Sequence, residues 1–470
     1  MIPSAMIAGT HSGVGKTTLT MGLLTAFCQR GKIVQSFKCG PDYIDPTFYR
    51  WITGRSCSNL DSWLMDRPTI ERLYKRALEG ADLALLEGVM GLYDGAAGEK
   101  PGGAGSSASL AKMLQVPIIL VVDGSSAAQS VAATVYGFAK LMPDIKILGI
   151  IVNRVGSERH GLMIQKAIEE SCCLPVFGWL LKNSIEAIPE RHLGLVSAVR
   201  DDEALQEYCT QLAQVIENQI DIDQIISLLS KSTKKSTLRT LEIEEKEKLE
   251  ILEKIPVAIA RDEAFHFYYE DALRDLSDRG IEWIPFKPVA GETFPAHVKG
   301  VYLGGGYPEL YLEELTKNQQ FIKDLRSAYQ NGMPIYGECG GYMFLSRSIE
   351  DSKQKEYSLT GLVPAKCKMQ KRRQALGYVT AQATTDNLLA HQGDLLRGHE
   401  FHYSSLNYDP AELQKSAFRI TKTFLPGQEP LVRQVGYVEK ALTASYVHFH
   451  LSAYPTAMDR LVSFFAGQKI

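Results

Sequence analysis

Ala5-Met-Ile-Ala8-Gly9-Thr10-His-Ser-Gly13-Val-Gly15-Lys16-Thr17-Thr18 runs from an apolar stretch through a glycine-rich loop into a lysine–threonine pair. Ala5–Ala8 predicts a strand, and the segment from Lys16 to about Arg30 predicts a helix closed by Gly31. In a strand–loop–helix of this kind the loop amides point at phosphate oxygens, and the helix N-terminus adds partial positive charge. Gly9, Thr10, Gly13, Gly15, Lys16, Thr17 and Thr18 are therefore the expected nucleotide contacts. Lys16 would reach the β- and γ-phosphates, and the Thr17 hydroxyl would help hold Mg²⁺. The usual spacing leaves four residues between the first glycine and the Gly-Lys pair, whereas Gly9 leaves about five. A tight glycine turn with a coincidental Lys-Thr is the bland alternative, and the strand–loop–helix context argues against it.

Working outward, apolar runs at Val34–Phe37, Leu83–Glu87, Ile118–Val122 and Ile147–Val152 alternate with helix-like segments. Strands buried on both faces and separated by helices predict a parallel α/β sheet. Two acidic turns follow the second and third strands, Lys38-Cys-Gly-Pro-Asp42-Tyr-Ile-Asp45 and Glu87-Gly-Val-Met-Gly-Leu-Tyr-Asp94. Both should open at the carboxyl edge of the sheet, where α/β folds bind ligands. Carboxylates there can hold Mg²⁺, which takes a few carboxylates plus phosphate oxygens and water, and Asp94 could position an acceptor. Asp42 and Asp45 are equally well explained as turn-shaping residues. Glu87, at the end of an apolar strand, is harder to explain structurally. Gly102-Gly-Ala-Gly-Ser-Ser signals a mobile loop.

The texture changes at 231–254, a basic then acidic stretch read as a linker between residues 1–230 and 255–470. A second α/β pattern follows, with strands expected at Val257–Ala260, Val301–Leu303 and Ile335–Tyr336 and a β-rich end at Ala444–His450. Pro334-Ile-Tyr-Gly-Glu-Cys339-Gly-Gly-Tyr-Met reads as strand, sharp turn, helix. A thiol there sits at a helix N-terminus, which favours the thiolate. A lone cysteine more often packs as a small hydrophobe, but the flanking glycines and the elbow context reverse that reading. Amides of Gly305 and Gly306, after another strand, could form an oxyanion hole with that of Gly340. Tyr446-Val-His448-Phe-His450 looks strand-like, so His448 and His450 would share a face, one deprotonating Cys339 and the other orienting it. His399 and His402 could bind substrate, line the interface between the two halves, or pair at a metal, although no third ligand is evident.

Composition bounds the rest. The 470 residues allow two to four domains. With 51 basic against 54 acidic residues, the net charge of −3 leaves no electrostatic footprint for nucleic acid or an anionic membrane. No apolar stretch is long enough to span a bilayer. The first residues carry no basic segment, so they read as a strand rather than a signal peptide. Eight cysteines without a CxxC pair fit a reducing, cytoplasmic setting.

At these residues the chain resembles the cobyrinic acid a,c-diamide synthase family. The likeness runs nearly end to end, through IAGTHSGVGKTT, FKCGPDYIDP, SNLDSW, LLEGVMGLYDG, NRVGSERH, DEAFHFYY, YLGGGYPEL, YGECGGYM, RGHEFHYS and SYVHFH. The longer phosphate loop is shared with the dethiobiotin synthetases. The resemblance implies a P-loop, parallel-sheet synthetase domain followed by an α/β class I glutamine amidotransferase domain. It implies ATP and Mg²⁺ as cofactors, and L-glutamine and a corrin polycarboxylic acid on the vitamin B12 pathway as substrates. Cys339 would be the glutaminase nucleophile and His448 its base. Asp42 and Glu87 would serve the metal with Thr17, and Asp45 and Asp94 the acceptor carboxylate. Class I amidotransferases usually carry a Glu two residues after the histidine, where this chain has His450, so the third triad member stays open. A homodimer is a candidate assembly. Hydrogenobyrinic acid or a metal-bound sirohydrochlorin would use the same machinery. A cobyric acid synthase would carry a different loop, of the GTxSDAGKS kind. A partitioning ATPase switch would need a basic or amphipathic attachment segment that is not found.

Overall fold

The computed structural model describes residues 2–182, 184, 203–233, 254–408, 415–423 and 427–468. They belong to two compact units, Met1–Ile243 and Glu244–Ile470.

The first unit is built on seven strands: β1 Ser4–Gly9, β2 Val34–Cys39, β3 Ser58–Leu60, β4 Leu83–Gly91, β5 Ile118–Asp123, β6 Ile147–Val155 and β7 Val176–Leu181. All pair in parallel, in the order β3-β2-β4-β1-β5-β6-β7. Every residue of β1 is buried, as expected of a central strand covered on both faces by helices. Helix α1, Lys16–Gln29, lies on one face, where Leu19, Leu23 and Phe27 join Ile7, Leu85, Ile119 and Ile151 in the core. The helix Glu203–Gln219 closes over α1 through Leu212 and Ile216. A Cβ on Gly22 would lie 2.6 Å from the Ile216 side chain, so the glycine permits this close approach. The five anticipated strands are all present. Edge strands β3 and β7 were not anticipated: β3 has three residues, and β7 carries a glycine, Gly178, within its short run.

The connection from β1 to β2 runs one way along the sheet and that from β5 to β6 runs the other. The loop after β1 therefore opens at a point where the strand order reverses, the usual ligand crevice of such sheets.

The second unit contains β8 Ile255–Ala260, β9 Ile281–Phe286, β10 Gly300–Leu303 and β11 Ile335–Glu338. They form a parallel sheet in the order β11-β10-β8-β9. Leu442–Ser445 extends it in parallel beside β11, and Tyr437–Glu439 pairs antiparallel at the edge. Two further four-stranded sheets lie between Ser346 and Val435. Their strands were not anticipated, because many are half-buried and alternate, as Val363–Met369 does, and so lack the continuous apolar run of a central strand. Residues 234–253 of the expected linker lie outside the described residues, and its first three continue the helix Ile222–Thr233.

Candidate active sites

In the first unit, β1 delivers Gly9 to the crevice, where its carbonyl accepts from Leu92 N (2.8 Å) while Thr10 N donates to Val121 O (3.1 Å). The loop then turns through Gly13 (φ 78°) and Gly15 (φ 101°). At Gly15 a side chain is excluded twice over: the φ is left-handed, and a Cβ would lie 2.3 Å from the Asn153 amide. That amide donates to Val14 O at 2.8 Å, and Arg154, tied to Asp123 at 2.8 Å, donates to Gly13 O at 2.7 Å. In a trans peptide the N–H points opposite to the C=O. Pinning these carbonyls on one side therefore turns the amides of the same peptides the other way, as a phosphate cradle requires. Asn153 and Arg154 were not singled out as site residues; they come from the end of β6, about 140 residues away, and only sheet order brings them here.

Lys16 Nζ donates to Met90 O (2.5 Å) and His11 O (3.4 Å). Burial lowers its pKa, with Glu87 opposing. Thr18 faces the Tyr208 hydroxyl. The Thr17 hydroxyl donates to Glu87 Oε1 (2.8 Å) and lies 3.4 Å from Asp45 Oδ2. Glu87 also accepts from the Tyr49 hydroxyl. The acidic turns thus converge on the phosphate loop, and at their centre lies Lys38, which sequence reasoning did not single out. Its ammonium is 2.5 Å from Asp45, 3.0 Å from Glu87 and 3.4 Å from Asp42. Burial alone would strip its proton, but Asp45, Glu87 and Asp42 outweigh it and hold the ammonium charged. Asp42 also shapes its turn, accepting from Ile44 N and Asp45 N. Asp94 accepts from Gly91 N at 2.8 Å and acts on Lys16 as a charge.

No group of three or more His, Cys, Asp or Glu among the described residues is arranged to hold a metal alone. Mg²⁺ does not need such a cage, because it takes one or two carboxylates and completes its shell with phosphate and water oxygens. The hard oxygens of Thr17 and Glu87, 2.8 Å apart, fit that requirement. The segment at 102–107 is a defined turn: Ser106 caps the helix Ser107–Leu114 by accepting from Ser109 N.

In the second unit the elbow is explicit. Cys339 follows β11 directly, with φ 46° and ψ −99°, a left-handed conformation that costs a non-glycine residue about 1–3 kcal/mol. Its N–H is anchored to Ser445 O at 2.8 Å. The glycines around it are contact surfaces. A Cβ on Gly340 would lie 3.0 Å from Gly306 N, and one on Gly305 would lie 2.6 Å from His448 Cε1. The loop expected to hold an oxyanion therefore lies against both the elbow and the His448 ring. The Phe265–Tyr269 segment braces that loop: His266 N and Phe267 N donate to Gly305 O at 3.0 Å, and the Tyr268 hydroxyl accepts from Gly304 N at 2.9 Å.

Residues 446–450 are not a strand. The strand ends at Ser445, and His448 instead makes one isolated antiparallel bridge with His399, with reciprocal N–H···O=C bonds of 2.9 and 3.0 Å. The strand expectation fails because this segment turns aside at the end of the sheet toward a partner about 50 residues earlier in the chain. The imidazoles of His399 and His448 stack at 5.0 Å, and that of His450 stacks on Tyr269 at 4.3 Å. Burial disfavours charge on His448, yet Cys339 and Glu338 raise its pKa to about 10. His399 and His402, three apart on the strand Leu395–His402, point to opposite faces. His402 hydrogen-bonds Ser404 O and stacks on Tyr446, so the two do not form a metal pair.

The class is that of a nucleotide-binding protein carrying a glutamine amidotransferase unit. Residues 5–196 match the family model of the CobQ/CobB/MinD/ParA nucleotide binding domain, and residues 256–456 that of the CobB/CobQ-like glutamine amidotransferase domain. The cobyrinate a,c-diamide synthase of Dehalococcoides mccartyi strain CBDB1 is 41% identical over 96% of each chain. Those of Caldanaerobacter subterraneus subsp. tengcongensis and Salmonella typhimurium are each 39% identical, over 97% of this chain and 97% and 96% of theirs. The chain belongs to the cobyrinate a,c-diamide synthase family and is a glutamine-dependent amidotransferase of the ligase class. Among the described residues no helix is long and apolar enough to cross a membrane.

Proposed function

We propose that the chain converts the c and then the a carboxylate of cobyrinic acid to amides, in the cytoplasm, on the route to cobalamin. It would use ATP and glutamine for each amide. The observation that carries this reading is the pairing of two constellations in one chain: Thr17 converging with Glu87 at the phosphate loop, and Cys339 beside His448 at an elbow.

A carboxylate is a poor acyl donor because its leaving group would be oxide. In the synthetase unit the substrate carboxylate oxygen attacks the γ-phosphorus, ADP departs, and an acyl phosphate forms. Ammonia then attacks the acyl carbon, and phosphate leaves. Positioning and charge neutralisation dominate phosphoryl transfer, and Lys16 and the loop amides supply both. Mg²⁺, held by Thr17 and Glu87 with Asp42 nearby, would neutralise phosphate charge. Lys38 keeps the carboxylates of Asp42, Asp45 and Glu87 from repelling an anionic substrate, and Asp45 and Asp94 bias which acceptor carboxylate is presented. In the amidotransferase unit Cys339 attacks the glutamine amide carbon. The amides of Gly305, Gly306 and Gly340 receive the oxyanion, His448 protonates the departing ammonia, and water then releases glutamate from the thioester.

The test supplies ATP, Mg²⁺ and glutamine with cobyrinic acid, hydrogenobyrinic acid and metal-sirohydrochlorins in parallel, with products read by mass spectrometry. Two mass changes of acid to amide on cobyrinic acid alone support the reading, with a free mono-amide preceding the diamide. Amidation of another acid in its place overturns the substrate, and no amidation of any overturns the activity.

A further inference from the structure

We propose that Glu338, the residue immediately before the nucleophile, is the carboxylate that orients His448 and holds its imidazolium. The inference rests on the reading of Cys339 as the glutaminase nucleophile and supplies the third member that the class pattern leaves open. Glu338 ends β11, is 2% exposed, and its Oε2 lies 3.7 Å from His448 Nδ1. It is itself held. The Tyr302 hydroxyl donates to Oε2 at 3.0 Å and the Tyr336 hydroxyl to Oε1 at 2.5 Å. Tyr302 and Tyr336 are register partners across β10 and β11, and Tyr336 shares a face with Glu338 by the two-residue period. The sheet thus builds a rigid donor pair beneath a buried carboxylate and aims one oxygen at the base.

The position two residues after His448 cannot do the same work chemically. His450 is neutral or cationic in any state, so it cannot stabilise an adjacent imidazolium by charge, and its ring lies against Tyr269. The groups packed around His448 are Cys339 and Glu338, with His399 stacked on the other side. Only the thiolate and the carboxylate can be anionic. Burial depresses protonation of His399 well below the ordinary histidine range, with His448 and His450 adding to it, so it stays neutral beside the base. The Glu338 carboxylate therefore lets His448 keep the proton that the departing ammonia needs while the thiol is ionised. It acts as a positioning residue, through His448, and touches no reacting atom.

Glu338→Gln keeps an acceptor oxygen for one of the two tyrosine hydroxyls, sets an NH2 group against the other, and removes the charge. Glutaminase kcat should fall by about 10²-fold with KM for glutamine within about threefold, since the lost interaction strengthens in the transition state. The alkaline limb of the kcat/KM profile, which reports deprotonation of His448, should move down by about one pH unit or more. Ammonia-dependent amidation should be unchanged, and His450→Ala should leave the alkaline limb in place. An unmoved limb in Glu338→Gln, or a limb displaced by His450→Ala instead, would overturn the assignment. If Glu338→Gln does not fold, the unmutated chain with Cys339 alkylated decides. ¹⁵N-imidazole spectra should show His448 titrating above the ordinary histidine range through Glu338 alone, and titration at or below that range overturns the inference. Cys339→Ala separates this inference from the reading beneath it. If that variant keeps glutamine-dependent activity, the glutaminase assignment itself falls; if it is inactive and Glu338→Gln behaves as wild type, only the role of Glu338 falls.

Discussion

The phosphate loop and the thiol elbow solve one geometrical problem in opposite ways. Each follows a buried parallel strand, turns sharply at the carboxyl edge of its sheet and opens a helix. In the first unit the turn uses glycine at its left-handed positions, Gly13 and Gly15. In the second it places a cysteine at φ 46°. The difference follows from what each turn presents. A phosphate is bound by backbone amides, so the tightest positions need no side chain and glycine adopts them without strain. A thiol is offered by a side chain, so the left-handed conformation has to be imposed on a residue that resists it, and the surroundings hold it there. Cys339 N–H bonded to Ser445 and the glycines pressed on Leu303 and Gly306 do that holding.

The largest expected effect tests whether the two sites are separable. Cys339→Ala should reduce glutamine-dependent synthesis by ~10³-fold or more, as loss of a nucleophile does, and leave synthesis from ammonia within about twofold. Glutamine-dependent product at normal rates from folded enzyme would erase the distinction between the sites. Lys16→Ala should fail with both nitrogen sources, at a cost of ~10²–10³-fold for a lost transition-state charge. Retained ATP turnover would remove Lys16 from the phosphate site.

Gly305→Ala sharpens the comparison at the level of contact. Its methyl would meet His448 Cε1 at 2.6 Å, so glutaminase should fall by about 10-fold or more through displacement of the base, while ammonia-dependent synthesis holds. Normal glutaminase kinetics would mean that the loop does not abut the base in solution. The smallest effect concerns strain itself. Cys339→Gly should be more stable than Cys339→Ala by about 1–2 kcal/mol, because glycine releases the left-handed penalty. Gly15→Ala should destabilise, meeting both its φ and the Asn153 amide. Equal melting temperatures for Cys339→Gly and Cys339→Ala would refute the contrast drawn between the turns.

The sequence by itself determined what is local. Gly9 to Thr18 and Pro334 to Met343 declare strand, turn and helix within a dozen residues, and the chemistry at each turn follows from the residue types there. The five central strands of the first unit were legible because burial on both faces leaves an uninterrupted apolar run. Only the tertiary structure decided what depends on strand order and register. Lys38 became the centre of the acidic cluster because β2 and β4 pair, setting Lys38 opposite Glu87. Asn153 and Arg154 reached the phosphate loop because β6 lies two strands from β1. His448 met His399 across an isolated bridge that period-two reasoning about 446–450 missed. Glu338 was visible beside Cys339 from the start, but its place against His448 was not. Only the fold of the elbow, with the tyrosine pair on β10 and β11 holding the carboxylate, sets Glu338 Oε2 3.7 Å from His448 Nδ1.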